Sequence, residues 1–600
     1  PIFSTNTLKL FIWVSEYYHV TIGEIFNVAL PPKLKTDHIC DLSSIKNPKK
    51  YFPSTTASIT AIPPKHILNA AQEHAKQVIT RSLSKFNVFL LDGVTGSGKT
   101  EVYLQIVEEV IASGKQALVL VPEINLTPQT IKRFNQRFPQ QVMAYHSDLT
   151  PTEKLCSFLL AKENLISVII GTRSAAWLPF NNLGVFIIDE EHDLSFKQQE
   201  GFRYSARDVL IKRAQIEKIP IILGSATPAL ETLHNCNQGK YTHLLLPNRA
   251  GEANLPAFSV IDTKQSKPCA GLTKDLIVKI QNCLDKKEQI LLFLNRRGFA
   301  QVLICHECGW FKKCKSCDAR MIIHLNTWKL HCHHCLIIEP IPKFCPSCKQ
   351  SELDPLGIGT ERVEDYLRQL FPIANIARVD KDTIANKHAM EKIYTDVNNN
   401  LIDILVGTQM LAKGHHFSNI TLVAILDIDN GLFGADFRAT EKLGQLFTQV
   451  SGRSGRGTKI GEVVLQTCYP THPLLQLLIE NNYAKYCVKL IAEREQLSLP
   501  PFSFQALFRA QSRNSKLAME FLIWIKDLAK KIKIKNLQIL GPIPAPMAKK
   551  VGFYRTQLLI EATERSHLHI LLNNLMLSIR EQKLSNNLHW SIDIDPQDMY

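Results

Sequence analysis

From about residue 66 onward, short apolar runs bounded by turn residues alternate with stretches whose apolar positions recur every three or four residues. The runs NVFLLDG (87–93), QALVLVP (116–122), ISVIIGT (166–172), GVFIIDE (184–190) and IPIILGSATP (219–228) are continuous rather than alternating. Continuity of this kind predicts strands buried on both faces, as in a parallel sheet covered by helices. Residues 99–112 place Val102, Ile106, Val110 and Ile111 on one face and stop near Gly114, the pattern of an amphipathic helix. The same rhythm returns in QILLFLN (289–295), IANIARVD (373–380), DILVGTQ (403–409), LVAILDID (422–429) and GEVVLQT (461–467). The pattern thus predicts two α/β blocks in tandem. Segment 305–348 interrupts the second block like an inserted module. Residues 471–600 form a separate stretch with helical patterns and a basic, aromatic strip, KKVGFYRT (549–556). At the other end, residues 1–35 read as helical and aromatic up to Pro31 and Pro32. Residues 36–65, charged and containing Ser, Thr and Pro, read as a linker.

Composition narrows the class. Of 600 residues, 45% are hydrophobic and 21% charged, an ordinary globular balance that excludes a disordered, collagen-like or coiled-coil chain. Length alone predicts about four domains. No apolar run approaches the ~18 residues of a membrane span, and no secretion signal is visible, so the expected location is the cytoplasm. Lys and Arg number 70 against 55 Asp and Glu, a net charge of +15. Such an excess points to a polyanionic partner, most often nucleic acid, although charge alone leaves a solvated basic surface equally open.

The 15 cysteines say more. Eight form four Cys-x-x-Cys pairs: Cys305 with Cys308, Cys314 with Cys317, Cys332 with Cys335, and Cys345 with Cys348. A secreted disulfide scaffold would be short and cysteine-dense throughout. Thiolates in a tight Cys-x-x-Cys turn aim both sulfurs at one ion, so four such pairs suit two tetrahedral zinc sites, each held by four cysteines. Spacing leaves nested and sequential pairing of the four turns both open.

Gly93, Val94, Thr95, Gly96, Ser97, Gly98, Lys99 and Thr100 match G-x-x-x-x-G-K-[ST] between a predicted strand and a predicted helix. In that setting backbone N–H groups wrap phosphate oxygens at the positive helix end, Lys99 neutralises β/γ-phosphate charge and Thr100 ligates Mg²⁺. Asp189 and Glu190, followed by Glu191 and His192, close a buried strand, at the edge where open α/β sheets bind ligands. Asp189 fits a magnesium-holding carboxylate, and Glu190 the group that polarises attacking water. An acidic pair after a strand is commonly only a helix start; its pairing with the phosphate loop favours the catalytic reading. Gly224, Ser225, Ala226, Thr227 and Pro228 follow the next strand, where a simple cap competes with a role in coupling hydrolysis to motion. In the second block, Gln449 precedes Arg453 and Arg456, which lie three apart and would share a helix face. Either could act as an arginine finger, supplied in cis by lobe closure.

Taken in order, GVTGSGKT, VPEINLTPQT, GTRSAAW, DEEH, GSATPALE, FLNRRGFA, GTQMLAKGHHF and QVSGRSGRG resemble the motifs of superfamily 2 helicases. With four Cys-x-x-Cys pairs inside the second block, the chain closely resembles the PriA family of primosomal replication-restart helicases. The likeness runs from about 66 to 600 and includes DIDP (593–596).

That resemblance implies two tandem RecA-like P-loop lobes (66–250, and 251–304 continued by 349–470), a double zinc module with four cysteines per ion (305–348) and a C-terminal α+β domain (471–600). It implies ATP, Mg²⁺ and two Zn²⁺ as cofactors, in the nested pairing: Cys305, Cys308, Cys345 and Cys348 around one zinc, Cys314, Cys317, Cys332 and Cys335 around the other. Gln72 matches the family's adenine-contacting glutamine, Arg456 the likelier finger, and Arg453 a contact to the γ-phosphate. The segment FKQQEGFRY (196–204) is similar to an aromatic-rich loop that couples DNA contact to ATP turnover. Its Phe202, Arg203 and Tyr204, with Arg173 and Arg297 from the neighbouring motifs, become DNA-binding candidates.

The activity implied is 3′→5′ unwinding at stalled or branched replication forks by a monomer in the bacterial cytoplasm, associated with the nucleoid. Its partners would be single-strand-binding protein, primosome proteins and the replicative helicase or its loader. Where the family opens with a β-domain and a winged helix, residues 1–35 resemble a remnant of the first, and only the 36–65 linker stands in place of the second. Two other classes stay open at this point: a catalytically silent fork-binding scaffold, and an RNA-directed superfamily 2 remodeller.

Overall fold

The computed structural model describes residues 2–35, 66–122, 128–249, 256–294, 301–304, 312–316, 321–324, 329–332, 337–342, 344–349, 354–356, 360–380, 387–408, 411, 419–434, 436–454 and 461–599. The chain divides into two units, residues 1–252 and 253–600. The predicted linker 36–65 lies outside the described residues.

In the first unit, α1 (Thr5–Tyr18), α2 (Ile22–Ala29) and α3 (Ala70–Thr80) precede β1 (Val88–Gly93) and α4 (Lys99–Ala112). Then follow β2 (Gln116–Leu120), α5 (Pro128–Arg137), β3 (Val142–Tyr145), α6 (Pro151–Lys162), β4 (Val168–Gly171), β5 (Leu183–Asp189), α7 (Ala206–Glu217), β6 (Ile221–Ser225), α8 (Leu230–Asn237) and β7 (Thr242–Leu246). The seven strands pair in parallel in the order β3-β4-β2-β5-β6-β1-β7. The five predicted strands are all present, and they are buried almost throughout because helices cover both faces. Two were not predicted. β3 and β7 stand at the sheet edges; β3 is a run of only four apolar residues, VMAY, and β7 alternates between exposed and buried positions.

The N-terminal helices belong to this unit. Ser4 caps α1, and Thr21 with Glu24 forms a capping box on α2. Phe3 and Phe11 pack edge-on with each other and reach Phe158 on α6 and Trp177, respectively. Asn6 Nδ2 donates to Glu217 at the end of α7, at 2.9 Å.

In the second unit a six-stranded parallel sheet runs in the order Ile376–Val379, Ile404–Gly407, Gln289–Phe293, Ile420–Ile425, Glu462–Thr467, Ala257–Asp262. A small antiparallel sheet interrupts it between Gln301 and Leu356, where the sequence predicted the inserted module. Helix Tyr483–Gln496 packs on helix Ala439–Ser451: Arg494 Nη2 donates to Glu441 at 2.6 Å with both side chains buried, and Tyr486 Oη donates to the Thr440 carbonyl at 2.5 Å. The elements beyond Pro501 form a four-stranded antiparallel sheet, ordered Leu537–Lys550, Phe553–Ala562, Phe504–Ser512, His589–Ile594. Helices Ser515–Lys531 and Arg565–Glu581 cover the face carrying the buried Thr556, Leu558, Ile560 and Ala562. The basic, aromatic strip is the turn of its long hairpin. At the tip, Gly552 N donates to the Ser316 carbonyl at 2.8 Å, and Lys549 Nζ lies 3.3 Å from the Lys315 carbonyl. The C-terminal hairpin therefore rests on the backbone of Lys315 and Ser316, just after Cys314.

Candidate active site

Strand register brings the first unit's motifs to one edge. Asp189 pairs opposite Gly224, and Gly224 opposite Leu91, so the C-terminal ends of β5, β6 and β1 lie side by side. The phosphate loop leaves β1 through Gly96 (φ 82°) and Gly98 (φ 79°), a left-handed path that glycine adopts without strain. Lys99 Nζ donates to the Gly93 carbonyl at 2.7 Å. The Ser97 hydroxyl is buried with no hydrogen-bond partner, although buried polar atoms are nearly always paired.

Gln72 is fixed from two sides. Its Oε1 accepts from Asn69 N at 2.8 Å as half of the capping box that starts α3, and its Nε2 donates to the Ser97 carbonyl at 2.7 Å. The base contact expected from the sequence is thus seated against the phosphate loop.

Tyr103, one turn into α4, donates its phenol to Asp189 Oδ1 at 3.1 Å. Burial, then the charges of Asp189 and Glu190, push that phenol well above its ordinary pKa, so it stays a donor. Burial and the Glu190 charge raise the Asp189 carboxyl to about 6, against the pull of Lys99 and Tyr103. Gly224 leaves room for this ring: a Cβ there would sit 1.6 Å from the Tyr103 oxygen. Glu190 holds a left-handed backbone (φ 51°), and its Oε2 is buried without a hydrogen bond, 3.7 Å from His192 Nδ1. Non-glycine residues in that region store strain and cluster at functional sites.

The next two residues face inward. Glu191 accepts from Arg207 Nη1 (2.9 Å), Ala229 N (2.7 Å) and Thr232 Oγ1 (2.9 Å), so this carboxylate is committed to structure. His192 Nδ1 lies 2.7 Å from Ser225 Oγ, which accepts from Thr227 N at 2.9 Å. The imidazole thereby ties the acidic motif to the Ser225–Thr227 turn. Tyr103 was not singled out from the sequence, and Glu191 and His192 were named there only as part of the acidic motif, without these roles. A phenol on the apolar face of α4 was the available signal for Tyr103, since buried tyrosine oxygens require a partner.

The DNA-binding candidates divide. Arg173 Nη1 donates to the carbonyls of Ser195 (2.7 Å) and Lys197 (3.2 Å), pinning the segment that carries the aromatic residues. Phe202 and Tyr204 are buried, packed on each other, on Trp177 and, for Phe202, on Tyr18. In this conformation the two rings are packed rather than exposed for stacking on bases, and the N-terminal helices supply one of the aromatic neighbours. Arg203 is half-buried between them, and Gln199, Glu200 and Gly201 form the exposed tip. Arg297 lies outside the described residues.

In the second unit, Gln449 near the end of helix Ala439–Ser451 and Arg453 just beyond it are both buried. Arg456 lies outside the described residues. So do Cys305, Cys308, Cys317 and Cys335. Of the other four cysteines in the Cys-x-x-Cys turns, Cys314, Cys332 and Cys345 are buried and Cys348 is half-buried. Among the described residues no group of three metal-ligating side chains gathers, and no helix is long and apolar enough to cross a membrane.

The residues fit the groups they would hold. An orphaned hydroxyl, a left-handed glycine loop and an ammonium resting on a carbonyl suit a triphosphate. A carboxylate ionised above about pH 6 beside a second acid suits a divalent cation. Buried thiols, Cys332 directly after strand Lys329–His331 and Cys314 and Cys345 in the segments around it, suit zinc.

The comparisons agree with this layout. Residues 71–236 match the DEAD/DEAH box helicase family and 343–458 the helicase conserved C-terminal domain. Residues 314–340 match the PriA DNA helicase Cys-rich region and 495–597 the primosomal protein N C-terminal domain. The replication restart protein PriA of Haemophilus influenzae is 48% identical over 516 residues, covering 86% of this chain and 70% of that protein. Its counterpart from Rickettsia conorii is 36% identical over 600 residues, covering 100% of this chain and 89% of the relative. The Bacillus subtilis protein is 39% identical, with 86% of this chain and 65% of the relative covered. Among solved structures, RecG bound to a three-way DNA junction gives a TM-score of 0.44 at 15% identity over 82% of this chain and 56% of that one. With 89% of the Rickettsia conorii protein spanned at 36% identity, this chain belongs to the PriA family of replication restart proteins.

Proposed function

We propose that the protein is an ATP-dependent 3′→5′ DNA helicase that recognises stalled or branched replication forks and initiates primosome assembly. The observation that carries this reading is the convergence of Lys99, Asp189, Glu190 and the Ser225 turn at one sheet edge, in a chain of this family. Backbone N–H groups from Gly93 to Thr100 cradle the phosphates, Lys99 neutralises their charge, and Gln72 orients the base beside the loop. Tyr103 holds the Asp189 carboxylate in place, and bound magnesium would offset phosphate charge there. Glu190 orients the attacking water. To Gln449, Arg453 and Arg456 of the final motif we assign stabilisation of the transition-state charge, with Arg456 as the finger. The His192–Ser225 link gives the acidic motif a mechanical connection to the Thr227 turn.

The family matches support ATP with magnesium, zinc and DNA for this chain. The finer assignments are ours: two zinc ions in nested pairing, Arg173 and Arg297 beside the strand, and docking of single-strand-binding protein, primosome proteins and the replicative helicase or its loader. So are the domain limits (lobes 66–250 and 251–470, zinc module 305–348, C-terminal domain from 471) and a monomer in the bacterial cytoplasm, nucleoid-associated.

ATP turnover with and without single-stranded DNA tests the reading. Turnover in magnesium should rise on adding DNA, and the DNA affinity should fall steeply with salt as phosphate contacts release counterions. Turnover indifferent to DNA would refute a coupled motor.

Metal supplies folding energy that so short an insert cannot draw from its own core. Chelation should therefore release about two zinc per chain and impair unwinding. Because the C-terminal hairpin rests on the Lys315–Ser316 backbone beside Cys314, it should also accelerate proteolysis at 549–554. Four disulfides and no released metal would end the zinc assignment.

A further inference from the structure

The segment from Asp193 to Ser205 leaves the acidic motif directly and returns to it through α7. Asp193 N donates to the Glu190 carbonyl at 2.8 Å, and the Asp193 carboxylate accepts from Ser195 N at 2.8 Å. The two arms of the segment then pair: Lys197 bridges Ser205, and Gln198 N donates to the Tyr204 carbonyl at 2.8 Å. Arg173 pins the outgoing arm. The returning arm is held from outside the α/β fold. Tyr18, the last residue of α1, accepts from Ser205 N at 3.1 Å. Its ring meets Phe202 edge-on at 5.6 Å, and the Lys197 ammonium lies 5.8 Å from its centre.

The end of α1 is itself firmly set. His19 takes a left-handed conformation, its N–H returns to the Ser15 carbonyl, and Ser15 Oγ donates to the Val20 carbonyl at 2.6 Å. Tyr18 is buried and the hairpin tip at Gln199–Gly201 is exposed. A rigid, externally supplied phenol therefore grips the base of a hairpin whose tip faces solvent and whose root is hydrogen-bonded to Glu190.

We propose that Tyr18 is a positioning residue of the motor: through Ser205 and Phe202 it holds the 193–205 hairpin so that nucleic acid at the tip is felt at Glu190. The N-terminal helix pair then acts on the coupling of nucleic acid to turnover, not on the nucleotide site itself. This rests on the DNA-coupled ATPase reading above.

The test uses the full chain with Tyr18→Phe, which keeps the ring and removes the hydroxyl, and Tyr18→Ala. Basal turnover and KM for ATP should stay at the wild-type values in Tyr18→Phe, while the kcat reached with saturating single-stranded DNA falls about fivefold. Amide exchange at Ser205 should quicken by a similar factor, a readout independent of activity. Tyr18→Ala, which also removes the contact with Phe202, should lose more of the stimulation. Wild-type stimulation in Tyr18→Phe, or equal loss of basal and stimulated turnover, overturns the proposal while leaving the helicase reading intact. A wild-type protein that DNA does not stimulate at all overturns the reading and this inference together.

Discussion

Lys99→Ala should lower DNA-stimulated ATP hydrolysis by about 10²–10³-fold, the effect of removing one preorganised charge-stabilising donor. It should leave fork affinity close to that of the wild type. The side chain sits at the mouth of the loop on the Gly93 carbonyl, so its loss removes a cation without touching the backbone donors. Buried β1 and α4 do not depend on it for packing. Turnover measured over a range of ATP, with fork binding followed separately by anisotropy, gives the answer. Retained hydrolysis with lost fork binding would contradict the assignment of this loop.

Glu190→Gln should reduce kcat by about 10²–10⁴-fold, as expected for loss of a positioned general base. ATP binding and thermal stability should be unchanged. The reason is in the contacts: Glu190 Oε2 makes no hydrogen bond and lies 3.7 Å from His192 Nδ1, so the isosteric amide breaks no hydrogen bond at that atom. Its neighbour should fail in the opposite way. Glu191→Ala removes the carboxylate that Arg207, Ala229 and Thr232 share, leaving a largely buried guanidinium and an uncapped turn. Breaking a buried pair costs about 3–5 kcal/mol, so this variant should melt well below the wild type. Two adjacent acids, one lost in kcat and one in stability, would be read from turnover and thermal melts on the same preparations. Equal behaviour of the two would show that the division of labour drawn from the geometry is wrong.

The legible part of the fold was the part governed by periodicity. Continuous apolar runs located every central strand of both parallel sheets, and the helix at 99–112 falls where the spacing of Val102, Ile106 and Val110 put it. Edge strands β3 and β7, and Ala257–Asp262 in the second sheet, escaped because β3 is only four residues long and the other two mix apolar with polar or exposed positions. The long hairpin around Gly552 read as a basic strip, since alternation in Phe553–Ala562 is short and interrupted by charge.

The phosphate loop and the acids were legible because their chemistry restricts residue type at fixed spacing. The supporting contacts were not. Tyr103 on Asp189, and His192 on Ser225, join segments far apart in sequence, and only strand register brings them together. The packing of the aromatic segment was hidden for a related reason. Phe202 and Tyr204 look available for stacking until α1 and Trp177 are placed around them.

Strand displacement on partial duplexes with a 3′ or a 5′ single-stranded tail, with ATP and Mg²⁺, tests the motor most directly. The account predicts displacement from the 3′-tailed substrate and from forks, none with a non-hydrolysable ATP analogue, and none by Lys99→Ala. Displacement that proceeds without hydrolysis, or from the 5′-tailed substrate alone, would contradict it.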